Sequence, residues 1–148
     1  MFKRILLPTD GSRLAAKGVK AGVKLAKALG AKVVGLYVVP PYNPMVYGEA
    51  AMYIPALAVQ DYKKISDQHA KKALATVQRE ARAAGVACET QVVTSAQPWE
   101  GILKAARARK CDAVAMASHG RGGLGGLLLG GETSRVLAHS KLPVIVYR

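Results

Sequence analysis

The chain of 148 residues carries 22 Lys and Arg against nine Asp and Glu, a formal net charge of +13. About half of its residues are hydrophobic, enough to build the core of one domain, while the length is short for two. No apolar run approaches the roughly 18 residues that span a bilayer, and the first residues lack the apolar segment of a signal peptide. We therefore expect a single domain over residues 1–148 in a soluble cytoplasmic protein, and the charge favours anionic partners.

The predicted elements alternate between strands and helices along the chain. A buried strand over residues 2–7 precedes a helix over 13–29, with Ser12 as its N-cap and Gly30 at its end. A second buried strand over 32–39 leads into a proline- and tyrosine-rich loop at 40–52. A long helix over 55–84 ends at Gly85. The remaining predicted elements are an alternating strand in "VACETQVVT", a helix over 99–110, a buried strand in "DAVAMAS", a glycine-rich loop, a helix over 131–139 and a strand in "LPVIVYR".

This order predicts the fold class. Short strands that are apolar on both faces, each followed by a helix, indicate an α/β fold: an open five-stranded parallel sheet with helices on both faces, of the Rossmann-like nucleotide-binding type. In such sheets ligands bind beyond the carboxyl ends of the strands, where the strand order reverses. The segments "PTDGS", "VVPPY" and "ASHGRGG" follow the first, second and fourth predicted strands.

Seven of the fifteen glycines lie between Gly120 and Gly131. Glycine loses the most backbone freedom on folding, so this density favours a loop whose backbone approaches a ligand. The loop is not a Walker A motif, because no lysine lies between Lys110 and Lys141. It is a poor dinucleotide fingerprint, because it follows the fourth strand. It does offer an anion site, with the helix that opens at Gly130 and Gly131 and with Arg121 as a second donor.

The chain resembles the universal stress protein family over essentially its whole length. The nucleotide motif of that family is Gly-x-x-Gly, nine residues, then Gly-Ser/Thr. Here it is Ala117-Ser118-His119-Gly120, the nine residues 121–129, and Gly130-Gly131. The opening "ILLPTDGS" and the closing "SKLPVIVYR" are also similar to the two ends of family members.

The resemblance implies a site for ATP, with or without Mg²⁺, in a stress-response module. Asp10 and the backbone near Val38 would lie at the adenine and ribose, and the glycine loop and the start of the next helix would hold the ribose and phosphates. The residues implied at the site are Pro8, Thr9, Asp10, Val38, Met116, Ala117, Gly120, Arg121, Gly130, Gly131, Glu132 and Thr133.

Two departures from the motif and the charge of Glu132 leave an alternative open. Ala117 replaces the first glycine and adds a methyl group, Gly131 lacks the hydroxyl of Ser or Thr, and Glu132 brings a negative charge close to the phosphates. The alternative is a family member that binds no nucleotide and acts through contacts with unknown protein partners.

The other candidate residues have ordinary interpretations beside their functional ones. Asp10 is either a ligand contact or a turn carboxylate that accepts backbone N–H groups. His119 is expected to be a polar loop residue, and no catalytic constellation is recognisable, so the expected enzymatic activity is at most slow ATP hydrolysis. Cys88 and Cys111 are too isolated for a metal site and are expected to be two buried thiols.

The first predicted helix has a basic face. Arg13, Lys17, Lys20, Lys24 and Lys27 recur at spacings of four, three, four and three. A solvated face is the preferred interpretation, and an anion-binding stripe is the alternative. Because aromatic residues make up only 5% of the chain and no recognition helix is evident, we rank nucleic acid third, behind nucleotide and protein partners, and we expect no membrane partner.

The last strand predicts a homodimer. "LPVIVYR" is apolar on both faces, and an apolar strand at the edge of a sheet invites pairing with another chain. Two copies paired antiparallel about a two-fold axis would satisfy both edges, centred on Val144, Ile145 and Val146. The resemblance implies the same interface.

Overall fold

The computed structural model describes residues 1–46, 55–119 and 129–148. The strands are β1 (Arg4–Pro8), β2 (Lys32–Val39), β3 (Cys88–Thr94), β4 (Ala113–Ala117) and β5 (Val144–Tyr147). The helices are α1 (Arg13–Leu29), α2 (Pro55–Ala84), α3 (Pro98–Ala108) and α4 (Gly131–His139), and a 3₁₀ turn lies at Pro44–Val46. Among the described helices, none has the length and apolar character needed to cross a membrane.

The five strands form one parallel sheet in the order β3-β2-β1-β4-β5. β1 lies at the centre, with Arg4 opposite Lys32 of β2 and Ile5 opposite Ala113 of β4. The chain places β2 and β3 on one side of β1 and then β4 and β5 on the other, so the strand order reverses between β1 and β4. The predicted five-stranded parallel α/β fold is thereby confirmed.

Two cores lie on opposite faces of the sheet. On one face, Ile5 and Leu7 pack among the inward residues of α1 and α2, represented by Val19 and Val77. Leu6 points to the other face and packs with residues of α3 and α4. Because helices cover both faces, the central strands are apolar on both sides, as parallel sheets require.

The helix α1 begins and ends where the sequence predicts. The Ser12 hydroxyl oxygen accepts a hydrogen bond from the Ala15 N–H at 3.1 Å, and Gly30 ends the helix with a φ of 65°. Gly22 faces the sheet, and a Cβ at this position would lie 2.5 Å from Leu7 Cδ2. The glycine therefore lets α1 approach β1 closely.

One strand boundary was predicted wrongly. β1 begins at Arg4 rather than at residue 2, and the Asp112 carboxylate accepts hydrogen bonds from the N–H groups of Lys3 and Arg4 at this end. β3 largely alternates between half-buried and exposed residues, as its sequence predicts, because it is an edge strand that the helices cover incompletely. Of the predicted loop at 40–52, residues 47–52 lie outside the described part of the chain.

The two cysteines differ in burial. Cys111, between α3 and β4, is only 6% exposed, whereas Cys88 at the start of β3 is half-buried. The prediction of two buried thiols is thus confirmed for Cys111 and only partly for Cys88. Burial raises the pKa of the Cys111 thiol to about 11, and burial also raises the pKa of Cys88.

We expect iodoacetamide at pH 8 to modify Cys88 before Cys111. The thiolate is the reactive form, and Cys111 is both less accessible and almost entirely protonated below its raised pKa. Timed alkylation followed by peptide mass spectrometry measures the two rates, and Cys88→Ser should leave only the slow reaction. Equal rates at the two positions in the folded protein would contradict this difference.

Candidate functional site

The candidate site lies where the strand order reverses, at the carboxyl ends of β1 and β4. These two strands are direct neighbours in the sheet, so the segments that follow Pro8 and Ala117 leave the same edge side by side. Adjacent loops that diverge to opposite sides of a parallel sheet leave a crevice, which is the usual ligand position in open α/β folds. The backbone segments of Pro8, Thr9, Asp10, Met116 and Ala117 therefore lie close together at this edge.

The segment after β1 is held by its own hydrogen bonds. The Thr9 N–H donates to Leu36 O at 2.9 Å, and the buried Thr9 hydroxyl oxygen accepts from the Gly11 N–H at 3.2 Å. Asp10 Oδ1 accepts from the Ser12 N–H at 2.9 Å. Asp10 therefore has the turn contact that was one of its two predicted roles, and this contact fixes its backbone at the edge of the crevice.

The start of α4 is fastened to the end of β4. The Gly130 N–H donates to Ser118 O at 2.8 Å, and the buried Thr133 hydroxyl donates to Ala117 O at 3.0 Å. A Cβ at Gly130 would lie 3.1 Å from Ser118 O and 3.2 Å from His119 Cα, so glycine permits this close approach. Among the residues that the structure describes, no side chain caps the helix at Gly130.

Glu132 faces a neighbouring helix. Its Oε2 accepts a hydrogen bond from the Trp99 N–H in the first turn of α3 at 2.9 Å, and its Oε1 lies 3.1 Å from Arg135 Nη1. The carboxylate thus satisfies an N-terminal donor of α3 and is balanced by a guanidinium group. The same arrangement joins the N-terminal turns of α3 and α4.

The extra methyl group of Ala117 lies against α1. A Cβ built on Gly18 would stand 3.1 Å from Ala117 Cβ and 2.9 Å from Ala117 N, and Ala117 itself is buried. Because Gly18 leaves this space, the methyl group fits between β4 and α1. The glycine inside a helix was a signal for such contact, since glycine there costs about 1 kcal/mol relative to alanine.

The remaining predicted site residues differ in placement. Val38 is half-buried near the carboxyl end of β2, and its Cγ1 would meet a Cβ on Gly101 of α3 at 3.1 Å. Met116 is buried in the core on the side of α3 and α4. Gly120 and Arg121 lie outside the described residues.

Sequence reasoning missed two residues that build the site. Ser118 is buried and uses both backbone groups, donating to Tyr147 O at 2.7 Å and accepting from Gly130 N–H. Trp99 supplies the N–H that binds Glu132, and its ring stacks on His139 with centroids 4.3 Å apart. The position of Ser118 inside the glycine motif was a signal; no sequence pattern pointed to the contact between Trp99 and Glu132.

No catalytic or metal centre is evident in the described part of the chain. His119 Nδ1 lies 3.1 Å from the hydroxyl oxygen of the adjacent Ser118, a local polar contact. Across residues 1–46, 55–119 and 129–148, no three His, Cys, Asp or Glu side chains are grouped so that they could hold a metal ion. The described residues thus form a crevice with the N-terminus of α4 at its edge.

Solved structures place this fold among known proteins. A universal stress protein from Lactobacillus plantarum superposes with a TM-score of 0.80 at 23% identity, over 99% of this chain and 97% of that one. One similar structure is a universal stress protein in complex with cAMP, with a TM-score of 0.65 at 22% identity, covering 99% of this chain and 97% of the other. Another is the universal stress protein from Archaeoglobus fulgidus in complex with dAMP, with a TM-score of 0.69 at 16% identity, covering 100% of this chain and 98% of the other. These similarities show the shared fold.

Sequence comparison gives the family. The model of the universal stress protein family matches residues 1–148. A universal stress protein of Thermus aquaticus is 34% identical over the full length of both chains. Another from Methanocaldococcus jannaschii is 28% identical and is covered over 83% of its length. With the strand order and the glycine motif, these matches show that the chain belongs to the universal stress protein family.

Proposed function

We propose that this protein binds ATP, with or without Mg²⁺, in the crevice between the carboxyl ends of β1 and β4. The observation that carries the proposal is the start of α4, which is bonded to the end of β4 and has no capping side chain among the described residues. A helix N-terminus in this position presents backbone N–H groups and a partial positive charge, both of which favour phosphate. The adenine nucleotides cAMP and dAMP in two proteins of the same fold support the choice of ligand.

The described residues divide between binding and support. The backbone at Gly131, Glu132 and Thr133 would hold the phosphates, and Asp10 and Val38 would lie at the ribose and adenine. The Thr133 hydroxyl already donates to Ala117 O, so Thr133 contributes to phosphate binding through its backbone N–H. Gly120 and Arg121 would complete the phosphate contacts from the glycine loop.

The Ala117 departure from the motif and the charge of Glu132 are accommodated by neighbouring residues. The Ala117 methyl group lies against Gly18, and the Glu132 carboxylate is engaged by the Trp99 N–H and Arg135. Both are therefore compatible with the proposed phosphate site. The second departure, the missing hydroxyl at Gly131, favours the second candidate, a protein that binds no nucleotide and acts through protein contacts.

Two measurements test nucleotide binding. Mass spectrometry of the small molecules released from the purified, denatured protein is expected to find an adenine nucleotide. Calorimetry on stripped protein is expected to give a dissociation constant in the micromolar range, about 8 kcal/mol of binding free energy. No heat and no thermal shift at millimolar ATP would select the second candidate. Hydrolysis, if present, is expected to be slow.

We predict that Gly131→Ser strengthens ATP binding roughly tenfold. The serine restores a hydroxyl at the position where the family motif has Ser or Thr, and a hydrogen bond to a charged phosphate contributes about 1.5 kcal/mol. No described atom lies within 4 Å of a Cβ at this position, so the side chain has room. Calorimetry of Gly131→Ser and of Gly131→Ala separates the effect of the hydroxyl on ATP affinity from the effect of the added carbon. An equal gain in both variants, or none in either, would contradict a phosphate contact at this position.

We also propose a homodimer joined through β5. Within the described residues β5 is an edge strand that pairs only with β4. The Pro143 carbonyl oxygen accepts from the Val114 N–H, and the Tyr147 carbonyl oxygen accepts from the Ser118 N–H. Along a strand, the backbone N–H and C=O groups of successive residues point to opposite sides. Ile145 therefore also faces β4, while the N–H and C=O groups of Val144 and Val146 face outward. An antiparallel pair centred on Ile145 would join each Val144 to Val146 of the second copy.

A further inference from the structure

The outer side of α1 is a line of positive charge without counter-charges. Arg13, Lys17, Lys20, Lys24 and Lys27 form this basic stripe, and all five are exposed. The stripe extends about 21 Å along the helix, at 1.5 Å per residue. Within the described residues, none of the five makes an ion pair with a carboxylate. The stripe therefore presents its full charge to solvent.

This arrangement destabilises the helix that carries it. Each successive pair of the basic stripe is three or four residues apart, and like charges at this spacing cost about 0.2–0.5 kcal/mol per pair. The first turn of α1 holds no acidic residue, and Arg13 places a cation at the positive end of the helix dipole. Lys27, in the last turn, is favoured by the helix dipole, but the repulsion along the rest of the stripe is a local cost of the kind expected at a functional surface.

We propose that the basic stripe of α1 binds the phosphate backbone of duplex nucleic acid without reading its sequence. Five cations in one line complement a polymer that carries one negative charge per about 1.7 Å of axis. The apolar face of α1 is buried against the sheet, so the helix has no apolar residues to insert into a membrane. The scarcity of aromatic residues weighs against base stacking, as the sequence indicates, but phosphate contacts do not need aromatic side chains.

The surface next to the basic stripe belongs to α2, which packs beside α1 on the same face of the sheet. Exposed lysines of α2, including Lys63, Lys64, Lys71 and Lys72, add positive charge to this layer. The basic stripe starts at Arg13, three residues after Asp10 at the edge of the crevice, and continues along α1 to Lys27. Lys17, Lys20 and Lys24 lie beyond this first turn, so their substitution tests duplex binding without changing a residue of the proposed nucleotide site.

The test measures, by fluorescence anisotropy, how binding to a 20-base-pair DNA duplex of random sequence depends on salt concentration. Five phosphate contacts predict an affinity loss of about 500-fold between 50 and 200 mM salt, from a slope of about −0.9 per contact. The triple variant Lys17→Gln, Lys20→Gln and Lys24→Gln keeps two cations and should lose only about 12-fold over the same range. Its melting temperature should not fall, because the substitutions remove repulsion from the helix.

A matched control carries Lys3→Gln, Lys104→Gln and Lys141→Gln, three exposed lysines outside α1 and α2. It has the same net charge as the stripe variant and should keep the affinity and salt slope of the unmodified protein. Equal weakening in both variants would show attraction to net charge alone and overturn the proposal. Absence of duplex binding at 25 mM salt would also overturn it, as would stripe-dependent binding to vesicles containing phosphatidylserine without binding to duplex.

Discussion

Val146→Pro is expected to convert the proposed dimer into a folded monomer. Proline lacks an N–H, and the N–H of Val146 faces away from β4, where it would bond to the second copy. Edge strands tolerate proline on the side that makes no bond within the sheet. Light scattering at tens of micromolar should therefore give the mass of two chains for the unmodified protein and of one for the variant, with circular dichroism unchanged.

Ile145→Pro is the matched control, one residue away. Its N–H faces β4, so proline there would remove a bond inside the sheet and leave a carbonyl of β4 without its donor. We expect a loss of about 2 kcal/mol in stability and a fall of about 4–8 °C in melting temperature. An unmodified protein that is monomeric at these concentrations would end the dimer proposal. Loss of folding in both variants would contradict the direction assigned to Val146.

Gly130→Val is expected to abolish ATP binding and to lower the melting temperature by about 4–8 °C. The added side chain would begin 3.1 Å from Ser118 O and 3.2 Å from His119 Cα, both on the backbone that holds α4. Overpacking of this kind costs about 2 kcal/mol and would displace the first turn of α4, whose N–H groups form the proposed phosphate site.

Gly131→Val places the same side chain one residue later, where no described atom lies within 4 Å of the new Cβ. Thermal denaturation should find this variant as stable as the unmodified protein. A similar fall in melting temperature for both valine variants would show that helix propensity, rather than contact with Ser118, determines the cost. Retained ATP binding in Gly130→Val would contradict a site at the start of α4.

The fold could be predicted from the sequence because the local helix and strand patterns agreed with the overall order of elements. The alternation of apolar strands with capped helices predicted all five strands, and α4 spans the residues predicted for it. The error at the start of β1 has a physical origin: the Asp112 carboxylate binds the N–H groups of Lys3 and Arg4, and a contact between residues so far apart in the chain is not visible in local hydrophobicity.

The candidate site was predictable in position but not in its internal contacts. The carboxyl ends of β1 and β4 follow from the strand order, and the glycine motif marks the start of α4. The contacts of Glu132 with the Trp99 N–H and of Ala117 with Gly18 join residues 33 and 99 positions apart, respectively. Such pairs become neighbours only through tertiary packing, so Glu132 and Ala117 looked unfavourable in the sequence and fit well in the fold.

The edge position of β5 has a consequence for the charged helices. A two-fold axis that pairs two β5 strands antiparallel runs perpendicular to the joined sheet, so it keeps the α1 and α2 layers of both copies on one side. Their carboxyl strand ends would point in opposite directions, so the two crevices would open at opposite ends of the assembly. The two basic stripes would share one surface, and a duplex long enough to reach both would gain avidity from the second contact.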